Sequence, residues 1–331
     1  MLVLAGFFDS VGQFFDSIGR IHPVSLVLAL VSFGIYLTLR SRAFFHVLRA
    51  AYPDARIQWR RIWGAYVAAY GFNNVVPARG GDVIKLFLTR TSIPGASYPA
   101  VGAAFFVELG FDASMGVVIL AFAFTQGVFP KPPDFSKFDV LDLNLLLDHP
   151  RFTLFLLTAL ALVGLIAFAL LSRRVKAFWS RVRQGLVILG DRRRYWREVW
   201  LVQFAGWLFR FAAFWLLLDA FNVGGSVKNV LLVLGVNAVA AVFPFSPGGA
   251  GIQQAFLVKV FAGTASGATI AAYSVGQQIA IGAFSLALGF AALAGIFHFT
   301  SFKQVIAAGK AARAAEAEPA TAGPSAPRAP A

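Results

Sequence analysis

Read for its apolar and polar positions, the sequence resolves into long apolar runs divided by short polar or basic stretches. Runs at about 23–39, 98–125, 152–172, 198–221 and 268–298 reach, or nearly reach, the length a helix needs to cross about 30 Å of hydrocarbon at 1.5 Å per residue. Two further apolar segments, about 62–90 and 229–263, differ because Pro and Gly break each near its middle. The first break reads Asn73-Asn74-Val75-Val76-Pro77-Ala78-Arg79-Gly80-Gly81-Asp82. The second reads Phe243-Pro244-Phe245-Ser246-Pro247-Gly248-Gly249-Ala250-Gly251. The pattern predicts an all-α fold, a polytopic integral membrane helical bundle with about five full spans and two broken segments.

The two ends read differently from this transmembrane region of about 23–300. Phe7-Phe8-Asp9-Ser10 is repeated as Phe14-Phe15-Asp16-Ser17, which puts Phe7, Val11, Phe14 and Ile18 on one helical face. Residues 1–22 are therefore either an amphipathic helix lying in the membrane interface or a frayed terminus with incidental phenylalanines. They lack the basic start and small-residue cleavage pattern of a signal peptide. Residues 301–331, rich in Ala and Pro, are expected to form a disordered tail.

Composition narrows the function classes. The 331 residues are 58% hydrophobic and only 13% charged, with a mean hydropathy of +0.72. Soluble domains carry about 25% charged residues, so a soluble enzyme and a disordered protein are both excluded. The absence of cysteine removes disulfides, thiolate metal sites and cysteine nucleophiles. The four histidines have no ligand spacing, so no metal, cofactor or catalytic residue is expected.

The net charge of +14 is placed unevenly. Residues 40–61 hold six Arg against one Asp, and 173–197 hold nine Lys/Arg against one Asp. Residues 126–151 hold three Lys/Arg against four Asp. The positive-inside rule puts the first two stretches, with the tail, on the cytoplasmic side of a cell (inner or plasma) membrane. Five of the seven tryptophans (Trp59, Trp63, Trp179, Trp196 and Trp200) lie in or beside these basic stretches, as an interfacial belt would. The basic residues cluster at span ends rather than on a soluble fold, so nucleic-acid binding is not expected. With these sides fixed, segment 62–90 must start and finish on the cytoplasmic side, and 229–263 on the other. They are two facing re-entrant hairpins or pairs of short crossing helices.

Charges and amides inside apolar segments carry the candidate chemistry. Arg79, Asp82 and Lys85 lie in the first break, and Lys259 follows the second. Glu108 and Asp112 stand one helical turn apart in the next span, and Arg210 sits near the middle of 198–221. A charge at the bilayer centre costs at least about 2.5–3.5 kcal/mol, so such groups face the bundle interior. They serve function, or they pair internally, as Arg79 with Glu108 or Arg210 with Asp112. The amides Asn73, Asn74, Asn237, Gln253, Gln254, Gln277 and Gln278 are packing contacts or head-group ligands. Asn73, Pro77 and Gly80-Gly81 echo Asn237, Pro244 and Gly248-Gly249, as a weak inverted repeat or as two independent kinks. Each Gly-Gly precedes a helix-compatible run, whose free N–H groups suit an anion.

At these residues the chain resembles a known family. Asn74 to Lys85 is similar to the N-x-x-P-x-R-x-G-E-x-x-R signature of the lysylphosphatidylglycerol synthase transmembrane, or flippase-like, family, with Asp82 and Lys85 for Glu and Arg. Ser246-Pro247-Gly248-Gly249-Ala250-Gly251 resembles its S-P-G-G-x-G signature. The resemblance covers roughly residues 23–300. Glu108 and Asp112 fit a third family pattern, Glu-Arg-x-x-Asp, in which Leu109 replaces the arginine. Gln254 stands where the family often has glutamate. After this region a disordered tail is expected rather than a soluble aminoacyl-transferase domain.

The resemblance implies a multi-pass lipid translocator with membrane lipids, and pathway enzymes, as partners. Its head-group site is expected at Asn73, Asn74, Arg79, Gly80, Gly81, Asp82, Lys85, Glu108, Asp112, Arg210, Asn237, Ser246, Gly248, Gly249, Gly251 and Gln254. The alternatives are a membrane-embedded lipid-modifying enzyme subunit, with Glu108 and Asp112 as bases, or an accessory scaffold of a lipid or glycolipid pathway.

Overall fold

The computed structural model describes residues 21–74, 80–126, 178–240, 252–263 and 265–299, with Gly19 and Gln304. The N-terminal repeat, the span expected at 152–172, residues 75–79 and 241–251 of the two breaks, and nearly all of the tail lie outside these described residues. Among the described residues the structure is helical, with a single isolated bridge between Ala262 and Ala265.

Besides the short helical stretch 178–190, eight helices follow in order among the described residues: α1 (Pro23–Ala51), α2 (Trp59–Asn73), α3 (Gly80–Thr91), α4 (Tyr98–Thr125), α5 (Arg192–Ala220), α6 (Val227–Ala240), α7 (Ile252–Val260) and α8 (Gly267–Phe297). Four of them, α1, α4, α5 and α8, are long and apolar enough to cross a membrane. Their outward faces are those of helices in lipid. Val24, Val27, Leu28, Val31 and Ile35 of α1 are exposed, as are Phe106, Leu109, Val117 and Val118 of α4. Pro23 opens α1 at a position where a missing N–H costs nothing. Ser266 caps α8 by accepting a hydrogen bond from the Thr269 amide, and His298 ends it in the left-handed region at φ 58°.

One expectation is corrected here. The first helix does not end at 39 with a basic loop after it; it runs on to Ala51. Phe44, Val47, Leu48 and Ala51 recur at helical spacing and are all buried, so this half of the basic stretch has an apolar face to pack.

Contacts at the helix ends set the topology. The start of α1 meets the end of α5, where the His22 amide donates to the Ala220 carbonyl at 2.9 Å. His46 near the far end of α1 lies 3.3 Å from Glu198 near the start of α5. The two helices are therefore antiparallel. On that second face, the Ser97 amide, just before α4, donates to the Tyr52 hydroxyl at 3.1 Å. Hence α1 ends, and α4 begins, on one face, and α2 and α3 form a hairpin that returns to it. The same logic holds opposite. The Gly225 amide before α6 donates to Asp219 at the end of α5, and Phe221, which closes α5, meets Tyr273 in the first third of α8 edge-on at a centroid distance of 6.0 Å. Between these points α6 and α7 go in and come back. The two broken segments are thus hairpins from opposite faces, the polarity an inverted repeat requires.

The cysteine-free chain makes this topology easy to test. Arg56→Cys and Pro94→Cys, both exposed positions, flank the first hairpin; Lys228→Cys and Ala262→Cys, also exposed, flank the second. An impermeant maleimide should label the first pair from one side of sealed vesicles and the second pair from the other. Arg56 and Pro94 reacting from opposite sides would mean that the first hairpin crosses.

Candidate functional site

Both hairpins lean on α8. Backbone contact between α2 and α8 is close because small residues face each other: a Cβ on Gly71 would lie 2.5 Å from the Ser285 carbonyl oxygen, and one on Gly289 3.1 Å from that of Val67. At the tip of the first hairpin, Asn74 approaches Gly282, the middle residue of α8. Gln254, at the start of α7, donates to Gln278 at 2.8 Å, and Gln278 donates to Gln253 at 3.3 Å. Gln278 and Gly282 are one turn apart, about 6 Å along the axis. The described ends of both breaks therefore converge on one turn of α8.

The first hairpin is held shut by its own side chains. Asn73 Oδ1 accepts from the Gly81 amide at 2.8 Å, and its Nδ2 donates to Asp82 Oδ1 at 3.1 Å. A Cβ on Gly81 would lie 2.1 Å from the Ala69 carbonyl oxygen, so glycine is needed there for α3 to approach α2. The Gly81 N–H, expected to await an anion, is already committed to Asn73. Gly80 opens α3 half-buried, and Asn74 donates to the Tyr70 carbonyl at 2.9 Å.

One turn beyond Asp82, Lys85 points into the bundle and is 7% exposed. Its ammonium lies 4.1, 4.2 and 4.3 Å from the ring centres of Phe44, Tyr66 and Phe105, and donates to Glu108 at 2.5 Å. Three π faces and a carboxylate together replace the water that a buried ammonium loses. Glu108 also lies 3.9 Å from Arg40, whose guanidinium grips Asp112 with two bonds, one of them 2.8 Å from Nη2 to Oδ2. Arg40 Nε donates to the Tyr66 hydroxyl at 2.9 Å. Four helices, α1 to α4, are pinned by this cluster.

Among the described residues Lys85 takes Glu108, and Arg40 rather than Arg210 takes Asp112; the pairing of Arg79 with Glu108 lies outside the described residues. Arg40 was not among the expected site residues. It closes an apolar run and reads as the first cation of a loop, but it is buried because α1 continues. The spacing of Tyr36, Arg40, Phe44 and Val47 on one helical face is the signal that would have placed it inside.

Arg210 of α5 is in a different position. It is half-buried, its Nε is buried with no hydrogen-bond partner, and it makes no ion pair among the described residues. Its guanidinium lies 5.8 Å from the Tyr36 ring and 5.9 Å from that of Phe214. Tyr36 packs on Phe33, and Phe33 on Tyr70, at centroid distances of 5.3 and 5.5 Å, so this cation is level with the tip of the first hairpin. Asn237 on α6 likewise has a buried Oδ1 without a partner. Lys259 is exposed at the outer end of α7, where its charge needs no interior partner. Arg79, Ser246, Gly248, Gly249 and Gly251 lie outside the described residues. Among the described residues no group of His, Asp or Glu has the arrangement of a metal site.

Comparison with curated proteins and with solved structures gives no match. A family model, the lysylphosphatidylglycerol synthase TM region, matches residues 1–308. The match takes in both hairpins, the charge cluster and all four described spans, and so the chain belongs to the lysylphosphatidylglycerol synthase transmembrane-region family, as an integral membrane protein.

Proposed function

We propose that the protein moves a lipid across the membrane, with an anionic head group held between the two hairpins. The observation that carries this reading is the convergence of two broken hairpins, from opposite faces, on one turn of α8. Transporters place substrate where broken elements of opposite polarity meet, because irregular backbone at membrane depth must be buried in protein or line a wet cavity. Arg210 supports the charge of the head group: it is a cation on a membrane-crossing helix, level with a hairpin tip, with no acidic partner among the described residues. The basic face, with the ends of α1 and α8 and the start of α5, is the cytoplasmic one in this reading. The alternative use of Glu108 and Asp112 as bases finds less support, since each carboxylate is held by a buried cation.

The test is a reconstituted assay with a fluorescent anionic phospholipid, followed by quenching of the outer leaflet. Arg210→Ala should slow translocation about tenfold or more, the worth of one charge-assisted hydrogen bond. The apparent melting temperature should stay near that of wild type, because no described partner is orphaned. Equal rates for the two proteins would remove Arg210 from the site. No acceleration by the wild type over empty vesicles, with any phospholipid, would remove the function.

A further inference from the structure

The basic face carries a surface that neither hairpin uses. The short helical stretch 178–190 lies there, across the ends of two membrane-crossing helices. Gln184 Nε2 donates to the carbonyl of Ala51, the last residue of α1, at 2.9 Å. A Cβ on Gly185 would lie 2.1 Å from the carbonyl oxygen of Ala100, in the first turn of α4. Ile188 is buried in the core that these helix ends share. The stretch is thus held at the level where helices leave the hydrocarbon, and α5 starts two residues after it.

What it leaves outside is both apolar and basic. Phe178, Trp179, Val187, Leu189 and Trp196 are exposed. So are Arg181, Arg183, Arg192, Arg193 and Arg197. The acids beside them are already taken: Asp191 accepts from the Arg194 amide at 3.0 Å, and Glu198 accepts from Arg194 Nε at 2.9 Å. None of the five exposed arginines pairs with an acid or lies over a ring among the described residues. Other arginines of this face differ, because they rest on rings of the protein itself. Arg42 and Arg49 lie 5.0 and 5.9 Å from the Phe45 ring, and Arg90 lies 5.0 Å from that of Tyr98.

Level and chemistry together choose the occupant. Tryptophan and phenylalanine exposed at the ends of membrane-crossing helices sit at the boundary between acyl chains and head groups. These rings also continue onto the lipid-facing side of α5. Trp196 lies 4.4 Å from Trp200, Trp200 stacks 5.1 Å from Phe204, and Leu201 and Leu208 on the same helix are exposed. An acidic soluble partner would match the arginines and leave rings at this level without a use. Anionic phospholipids match both, with phosphate on the guanidinium groups and acyl chains beside the rings.

We propose that residues 178–197 form a docking surface for anionic phospholipids of the leaflet on the basic face. The surface is separate from the space between the hairpins and does not depend on what that space carries.

The absence of cysteine allows a single bimane label at Val187→Cys, beside these arginines, or at Val31→Cys, on the lipid-facing side of α1. The full-length protein is placed in nanodiscs of equimolar phosphatidylserine and phosphatidylcholine, with one or the other brominated on its acyl chains. Overall charge is then the same in both, and quenching reports which lipid is the neighbour. At Val187→Cys phosphatidylserine should be the neighbour roughly fivefold more often, the worth of one arginine at a charged surface. At Val31→Cys the two lipids should quench alike. Arg181→Gln with Arg183→Gln should remove most of the preference at Val187→Cys. Salt at about 1 M should do the same with no change of sequence, because it screens charges beyond about 3 Å.

Equal quenching by the two lipids at Val187→Cys would overturn the proposal. So would the absence of quenching by either, which would put this face in water or against a protein. A preference that survives both the double variant and salt would overturn it as well. Lipid translocation, found or not found, leaves this result unaffected.

Discussion

Glu108→Ala should lower the melting temperature of the detergent-solubilised protein far more than Asp112→Ala. The Glu108 side chain is 6% exposed, and it faces two buried cations, Lys85 at 2.5 Å and Arg40 at 3.9 Å. Removing it leaves a buried ammonium with only aromatic faces for company, a loss of the kind that costs about 3–5 kcal/mol. Asp112 is 42% exposed on its side chain, and without it Arg40 keeps Tyr66 and Glu108. The double variant Lys85→Leu with Glu108→Leu should recover most of the loss, because it removes both charges and leaves Arg40 with Asp112. Thermal unfolding of the four proteins checks this. A double variant no more stable than Glu108→Ala would mean that the pair is not the source of the effect.

The second large effect is expected at Gly81. An alanine methyl there would sit 2.1 Å from the Ala69 carbonyl oxygen and 2.7 Å from Asn73 Oδ1. The first neighbour is backbone and cannot rotate away, so α3 must move off α2 at an overpacking cost of about 1–3 kcal/mol. Lys85 is one turn further along α3, so the same movement draws its ammonium out of the ring of Phe44, Tyr66 and Phe105. Gly81→Ala should therefore lower thermal stability clearly, whereas Val83→Ala, on the exposed side of the same helix, should lie within about 0.5 kcal/mol of wild type. Similar melting temperatures for the two variants would show that the close approach of α2 and α3 is not needed.

How far these features are legible in the sequence differs from residue to residue. The hairpins could be inferred because two independent signals agree: Pro and Gly break each apolar segment, and the surrounding Lys/Arg counts fix the face it must return to. The charged interior could be inferred from Lys85, Glu108 and Asp112, since charges in apolar runs have few other places to go. Their pairing could not. Which carboxylate meets which cation depends on how four helices rotate about one another, and apolar periodicity is nearly uniform around α4 and α8 in lipid. Arg40 was hidden for a different reason. Hydropathy averages over a window, and Arg40 and Arg42 end the apolar run although Phe44, Val47 and Leu48 continue the buried stripe. The Gly-Gly pair reads as offering free N–H groups to an anion, whereas Gly81 gives its N–H to Asn73 and its missing side chain makes room for a neighbouring backbone; both uses leave the same residue in the sequence.

The dependence of both hairpins on α8 bears on the order of synthesis. The first hairpin is complete by Thr91, and α8, which supplies the wall behind its tip, ends at Phe297. About 200 residues separate the two, which at typical elongation rates is roughly 10–40 s. For that interval the polar tip, with Asn73, Asn74 and Asp82, sits in a growing membrane protein without the helix it packs against. Its internal bonds, Asn73 to Gly81 and to Asp82, need only the hairpin itself, so they can hold the turn closed until α8 arrives. A chain stalled before Gly267 would leave both hairpins without their common support.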